Sequence, residues 1–206
     1  MPIKAVIFDM GGVLLRTMDT APREKLAEQL GISRHDLEML VFASPTSLLA
    51  ETGAIRESDH WASVFDTLKI PPAEQLEFQR RFWSKDRVDN DLIEFIRGLR
   101  ENYRTGLLSN AWDAIRPALS ERFPQILGVF DIVVFSAEVG MRKPDPRYYQ
   151  WMLDQLGVAA PEAIFVDDYQ PNVDAASEIG IKAIHFTNPQ QCRQDVLALL
   201  NHHQDR

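Results

Sequence analysis

Residues 4–14 read Lys4-Ala5-Val6-Ile7-Phe8-Asp9-Met10-Gly11-Gly12-Val13-Leu14. The first five are apolar or aliphatic in body, too few for an ordinary helix and rich in β-branched side chains. They predict a strand buried on both faces. An acid and a Gly-Gly pair follow at once, where the chain has to turn. Three further runs have the same character, at 104–108, 131–135 and 163–166, and a fifth at 182–186 follows the helix-stopping Gly180. Helical patterns fill the intervals at 91–101, 112–122, 146–156 and 172–179. Alternation of this kind predicts an α/β fold, a doubly wound (Rossmann-like) parallel sheet with helices on both faces.

The rhythm breaks over residues 16–90. No strand is expected there; four amphipathic helices are, at 22–30, 34–43, 58–68 and 72–83. Gly31, Pro45, Gly53 and Pro71-Pro72 punctuate them. The reading is therefore a core of residues 1–15 and 91–206 carrying an inserted helical segment, 16–90. Trp61, Phe65, Phe78, Phe82 and Trp83 recur there at helical spacing, which predicts packing between helices more than a wall facing a ligand.

The chain has 206 residues, with 30 Asp+Glu against 22 Lys+Arg and a net charge of −8. That length buries a sizeable core without a disulfide or metal staple. Cys192 is the only cysteine, which excludes an intramolecular disulfide framework and fits a reducing cytoplasm. A net acid attracts neither nucleic acid nor an anionic membrane surface. No apolar run approaches the ~20 residues of a membrane span, and the N-terminus lacks the layout of a signal peptide. The His202-His203 pair is expected to be solvated.

Ligands of open α/β sheets bind beyond the carboxyl ends of the strands. The residues that follow each apolar run are therefore the candidates. They are Asp9 with Gly11 and Gly12, then Ser109 and Asn110, then Lys143, then Asp167 and Asp168. Each alone has a structural reading as a cap, a turn former or a solvated loop residue. Together they do not, because three carboxylates converge only where a cation or a reaction requires them. Phosphoryl transfer with a divalent ion needs this set. Carboxylate oxygens suit Mg²⁺, an aspartate can accept the phosphoryl group, and a lysine with a hydroxyl and an amide can hold its oxygens.

These residues resemble the four motifs of the haloacid dehalogenase superfamily, on its phosphatase side. Asp9-Met10-Gly11-Gly12-Val13-Leu14 is similar to the first motif, Ser109-Asn110 to the second, Lys143 in Gly140–Asp145 to the third, and Phe165-Val166-Asp167-Asp168 with Asn172-Val173 to the fourth. The inserted helices resemble the family's C1 cap. The subgroup it is most similar to comprises small sugar-phosphate phosphatases of the glucose-1-phosphate type and the phosphatase domain of soluble epoxide hydrolases. The resemblance implies an enzyme, a phosphoric monoester hydrolase acting on a small phosphorylated substrate such as a sugar phosphate. It implies Asp9 as nucleophile and Lys143 as the neutralising cation. It also implies Ser109, Asn110 and Lys143 as phosphate-binding groups. Mg²⁺ would be held by Asp9, the Gly11 carbonyl and Asp168, with Asp167 acting through water or by orientation.

One position departs from the pattern. The usual second aspartate, two residues after the nucleophile, is Gly11 here. Metal binding through its carbonyl survives that change better than acid–base catalysis does. Two alternatives follow: a metal-independent 2-haloacid dehalogenase, which gains nothing from Asp167-Asp168, and a weakly active or non-catalytic binding protein of the same fold. Arg16, at the entrance to the insertion, is a further candidate to meet a substrate anion.

Overall fold

The computed structural model describes residues 1–201. The expectation for His202-His203 lies outside them. Five short strands form one parallel sheet: β1 (Ala5–Phe8), β4 (Arg104–Ser109), β5 (Ile132–Phe135), β6 (Ala163–Asp167) and β7 (Lys182–His185), in the spatial order β5-β4-β1-β6-β7. All four neighbouring pairs run parallel. The order reverses direction between β1 and β6, the switch point at which such sheets open a crevice.

Both faces of the sheet are covered. Val6, Phe8, Leu107, Ile164 and Val166 pack against helix α6 (Asn90–Leu99) and the C-terminal helix α12 (Pro189–Asn201). Ile7, Leu108, Val134 and Phe165 point the other way, onto α10 (Pro146–Leu156) and α11 (Gln170–Glu178). Burial on both sides explains why β1 and β6 read as unbroken apolar runs and not as alternating ones. Asp145 caps α10 by accepting from the Arg147 amide, and Gly157 ends it in the left-handed region.

Between β1 and α6 lie five helices: α1 (Ala21–Gln29), α2 (Arg34–Phe42), α3 (Pro45–Glu51), α4 (Glu57–Leu68) and α5 (Pro72–Phe82). They bury Leu26, Leu37, Val41, Trp61, Val64, Phe65, Phe78 and Phe82 among themselves. The predicted packing role of these rings is seen for all of them, with Trp83 half-buried at the edge of the cluster against Trp61 and Phe82.

The expectation of no strand over 16–90 is corrected. Leu15–Thr17 (β2) pairs antiparallel with Asp86–Val88 (β3), one strand at each end of the insertion. Neither carries an apolar alternation, and each exists only because the other lies beside it. Thr17 donates to Asp86 at 2.6 Å, and Arg16 donates to Asp89 at 2.6 Å. Helix α3, the short helices α7 (Ile115–Arg122), α8 (Pro124–Gly128) and α9 (Ser136–Val139), and α12 complete the chain. No helix among the described residues is long and apolar enough to cross a membrane. Cys192 is free and buried.

Candidate active site

Register builds the site. Phe8 at the end of β1 faces Leu107 on one side and Val166 on the other. The next residue on β1, Asp9, therefore stands level with Asp167, and its amide donates to the Val166 carbonyl at 2.8 Å. Two buried carboxylates side by side repel and lose water. Lys143 resolves this. Its ammonium donates to Asp9 Oδ1 at 2.7 Å and to Asp167 Oδ2 at 2.6 Å, and the side chain is 1% exposed.

Lys143 comes from a loop that has no strand to hold it. Asn110, just past β4, supplies the anchor: its Nδ2 donates to the Lys143 carbonyl at 3.0 Å, and its Oδ1 accepts from the Lys143 amide at 2.8 Å. Both ends of the amide are thus committed to main chain, which makes Asn110 a positioning residue for Lys143. What it retains for a ligand is the second Nδ2 hydrogen and its own main-chain amide. From the other side, Arg142 donates to Glu51 at 2.6 Å, tying the loop to α3. Ser109 is buried, with its carbonyl accepting from the Tyr148 hydroxyl at 3.0 Å.

Asp167 is saturated. Besides Lys143 it accepts from the Tyr169 amide at 2.8 Å and from Asn172 Nδ2 at 3.0 and 3.1 Å. Asp168 is not; its carboxylate faces Gly12 and takes no hydrogen bond from a neighbouring side chain among the described residues. One carboxylate oxygen from each of Asp9, Asp167 and Asp168 lies within 4.8 Å of the others. This all-oxygen group suits a hard divalent cation.

The electrostatics follow from burial. Loss of water pushes the Asp9 carboxyl up to about 7, with Lys143 opposing the rise and Asp167 adding to it. Burial pulls Lys143 down, but Asp9 and Asp167 outweigh it and hold the ammonium above its ordinary range. Asp168 is raised by burial and by Asp167. A further cation beside Asp9 and Asp168 reverses their upward shifts, which is a physical reason for the cluster to bind one.

The turn after β1 is made for close approach. Gly12 has φ +74°, and a Cβ there would lie 1.9 Å from Asp168 Oδ2. Gly11 differs: a Cβ at that position meets nothing within 4 Å. Arg16, the further candidate, lies beside the site and is paired with Asp89. Sequence reasoning missed the anchoring role of Asn110 and the Glu51–Arg142 tie.

Fold and site together define a doubly wound α/β core with a strand-end cluster of carboxylates around one lysine. The chain belongs to the haloacid dehalogenase-like hydrolases, whose family model matches residues 3–180. It is 30% identical over 186 residues, 90% of each chain, to a sesquiterpene phosphatase of Aspergillus oryzae. It is 25% identical to the D-ribitol-5-phosphate phosphatase of Bacteroides thetaiotaomicron, across 97% of this chain and 99% of that one. Among solved structures it is similar to a haloacid dehalogenase family enzyme of Bacteroides thetaiotaomicron in complex with magnesium and inorganic phosphate. The TM-score is 0.74 at 22% identity, covering 90% of this chain and 94% of the other.

Proposed function

We propose that this hydrolase is a Mg²⁺-dependent phosphatase of small phosphorylated metabolites, acting through an aspartyl-phosphate on Asp9. The observation that supports this best is the Lys143 ammonium held between Asp9 and Asp167, with Asp168 alongside. Asp9, Asp168 and the Gly11 carbonyl would hold the metal, and Asp167 would act through the groups it orients. Bound there, Mg²⁺ supplies the positive charge that lets an anionic carboxylate approach an anionic phosphate. An Asp9 oxygen attacks phosphorus as the ester oxygen departs and takes a proton from solvent. Water then attacks the same phosphorus, releasing phosphate and restoring the carboxylate. Lys143 keeps Asp9 aimed, while Ser109 and the amides near Asn110 take the phosphoryl oxygens. Residues 16–90 serve as the cap over a core of 1–15 and 91–206. A carbon-attacking dehalogenase has no use for the extra carboxylates, so phosphorus is the better-supported target.

The test is release of phosphate from an aryl phosphate, which needs little help from an acid. It is expected with Mg²⁺ and lost on chelation. No release from folded, Mg²⁺-supplied protein overturns the reading. The resemblance implies a sugar phosphate as substrate. The two relatives named above are called phosphatases of different organic groups, a sesquiterpene and D-ribitol.

Two substitutions in the β1 turn read its two glycines separately. In Gly12→Ala the new methyl displaces the Asp168 carboxylate, and a non-glycine residue at this φ costs about 1–3 kcal/mol. Mg²⁺ affinity measured by calorimetry is expected to fall at least about tenfold. Gly11→Asp enters open space and supplies the absent acid. Since such catalysis is worth roughly 10²–10⁴-fold, alkyl phosphates with poor leaving groups are expected to gain about tenfold or more in kcat/KM, and aryl phosphates little.

A further inference from the structure

A cavity of about 710 Å³ opens from the turns that carry Gly11, Gly12, Ser109 and Asn110 and runs beneath the helices of the insertion. Five rings line it: Phe123, and four that lie together, Phe42 at the end of α2, Trp61 on α4, Trp83 after α5, and Trp112 from the loop after β4. These four form one connected box. Phe42 stacks on Trp112 at 6.5 Å and 18°, and meets Trp83 edge-on at 5.7 Å. Trp112 meets Trp61 at 6.0 Å and Trp83 at 6.4 Å. The wall therefore starts on the phosphate-binding loop itself and continues onto the cap.

The polar side chains around the same space are mostly spent on one another. Arg16 is paired with Asp89, Arg23 with Asp86 and Glu38, and Glu51 with Arg142. Thr17 donates to Asp86, and Glu57 accepts from the Trp61 indole. Gln79 and the exposed Arg122 are left without a side-chain hydrogen bond among the described residues. A polyol entering here gives up water for few free donors and acceptors, and each unmatched hydroxyl costs free energy. An apolar or planar group loses little and gains ring contact.

We propose that this cavity selects phosphomonoesters whose organic group is apolar or aromatic over polyol phosphates. The inference rests on the phosphatase reading for its chemistry but not for its binding. Phenethyl, glycerol and ribitol phosphates all leave as primary alkoxides, so comparing them holds the chemistry constant. Phenethyl phosphate is expected to have a kcat/KM at least about tenfold higher, and Phe42→Ala or Trp83→Ala to lower that ratio by about tenfold. Phe42 is 38% exposed, so its truncation leaves the core filled, and circular dichroism checks the fold. A polyol ester hydrolysed as well as phenethyl phosphate, or variants that lower both equally, would overturn the proposal. Binding of phenethylphosphonate against glycerol phosphonate, followed by intrinsic tryptophan fluorescence, gives a second readout independent of turnover. Tighter phenethylphosphonate binding without hydrolysis of any ester sinks the phosphatase reading and keeps the wall. Hydrolysis with equal phosphonate affinities sinks the wall and keeps the phosphatase.

Discussion

Asp9→Asn is expected to lower kcat/KM for an aryl phosphate by about 10³-fold or more, roughly 4 kcal/mol of transition-state stabilisation. The amide keeps the shape of the carboxyl but cannot form the acyl phosphate. Trapping the wild-type protein during turnover should place a phosphoryl group on the peptide containing Asp9, and the variant should show none. Folding is expected to survive, because the native environment does not favour charge at this position. Burial pushes the carboxyl up to about 7 in the folded, metal-free protein from an ordinary value of 3.8. Between those values the folded state keeps a proton that the unfolded state releases, so this group's contribution to stability falls as pH rises. Asn removes that slope. The variant's metal-free stability, followed by urea unfolding across that window, should therefore fall less with rising pH than the wild type's. Wild-type turnover retained in Asp9→Asn would overturn the nucleophile assignment.

The second large effect is structural as well as catalytic. Lys143→Met removes the cation bonded to both Asp9 and Asp167, in a position with 1% exposure. Breaking a buried pair by deleting one partner costs about 3–5 kcal/mol, since the remaining charge is left uncompensated. The loss should be greatest above pH 7, where Asp9 is ionised in the wild-type protein, and should shrink toward pH 5 as Asp9 takes up a proton. Urea unfolding at the two pH values reads this directly. A uniform loss at both would mean that packing, not charge, is what the lysine contributes. Lys143→Arg is a useful companion, because it keeps the charge and changes the geometry; stability should recover more than turnover does.

The parallel strands were legible because burial on both faces leaves a local mark, an unbroken apolar run, at 4–8 and 163–166. The carboxylates were legible because each sits directly after such a run. Asp9, Asp167 and Asp168 could be placed together before any contact was known, and the structure does bring them together. The β2–β3 ribbon was not legible. Its strands are three residues each, and their pairing joins positions 15–17 to 86–88, a relation that no local pattern encodes. The anchoring of Lys143 by Asn110 was not legible either: its type and place suggested a phosphate ligand, and only the fold shows its side-chain amide bonded to the Lys143 main chain.

The amino-acid sequence by itself determined the sheet's class, the acids at its strand ends and the absence of a carboxyl at Gly11, since each depends only on neighbours along the chain. Tertiary structure alone decided which groups are spent and which are free. Asp167 is saturated while Asp168 is open, Arg16 is drawn off by Asp89, and Trp112 meets four rings of the insertion, those of Phe42, His60, Trp61 and Trp83. Hydrogen-bond capacity and ring surface are used up by whatever folds against them, and that is settled by long-range packing.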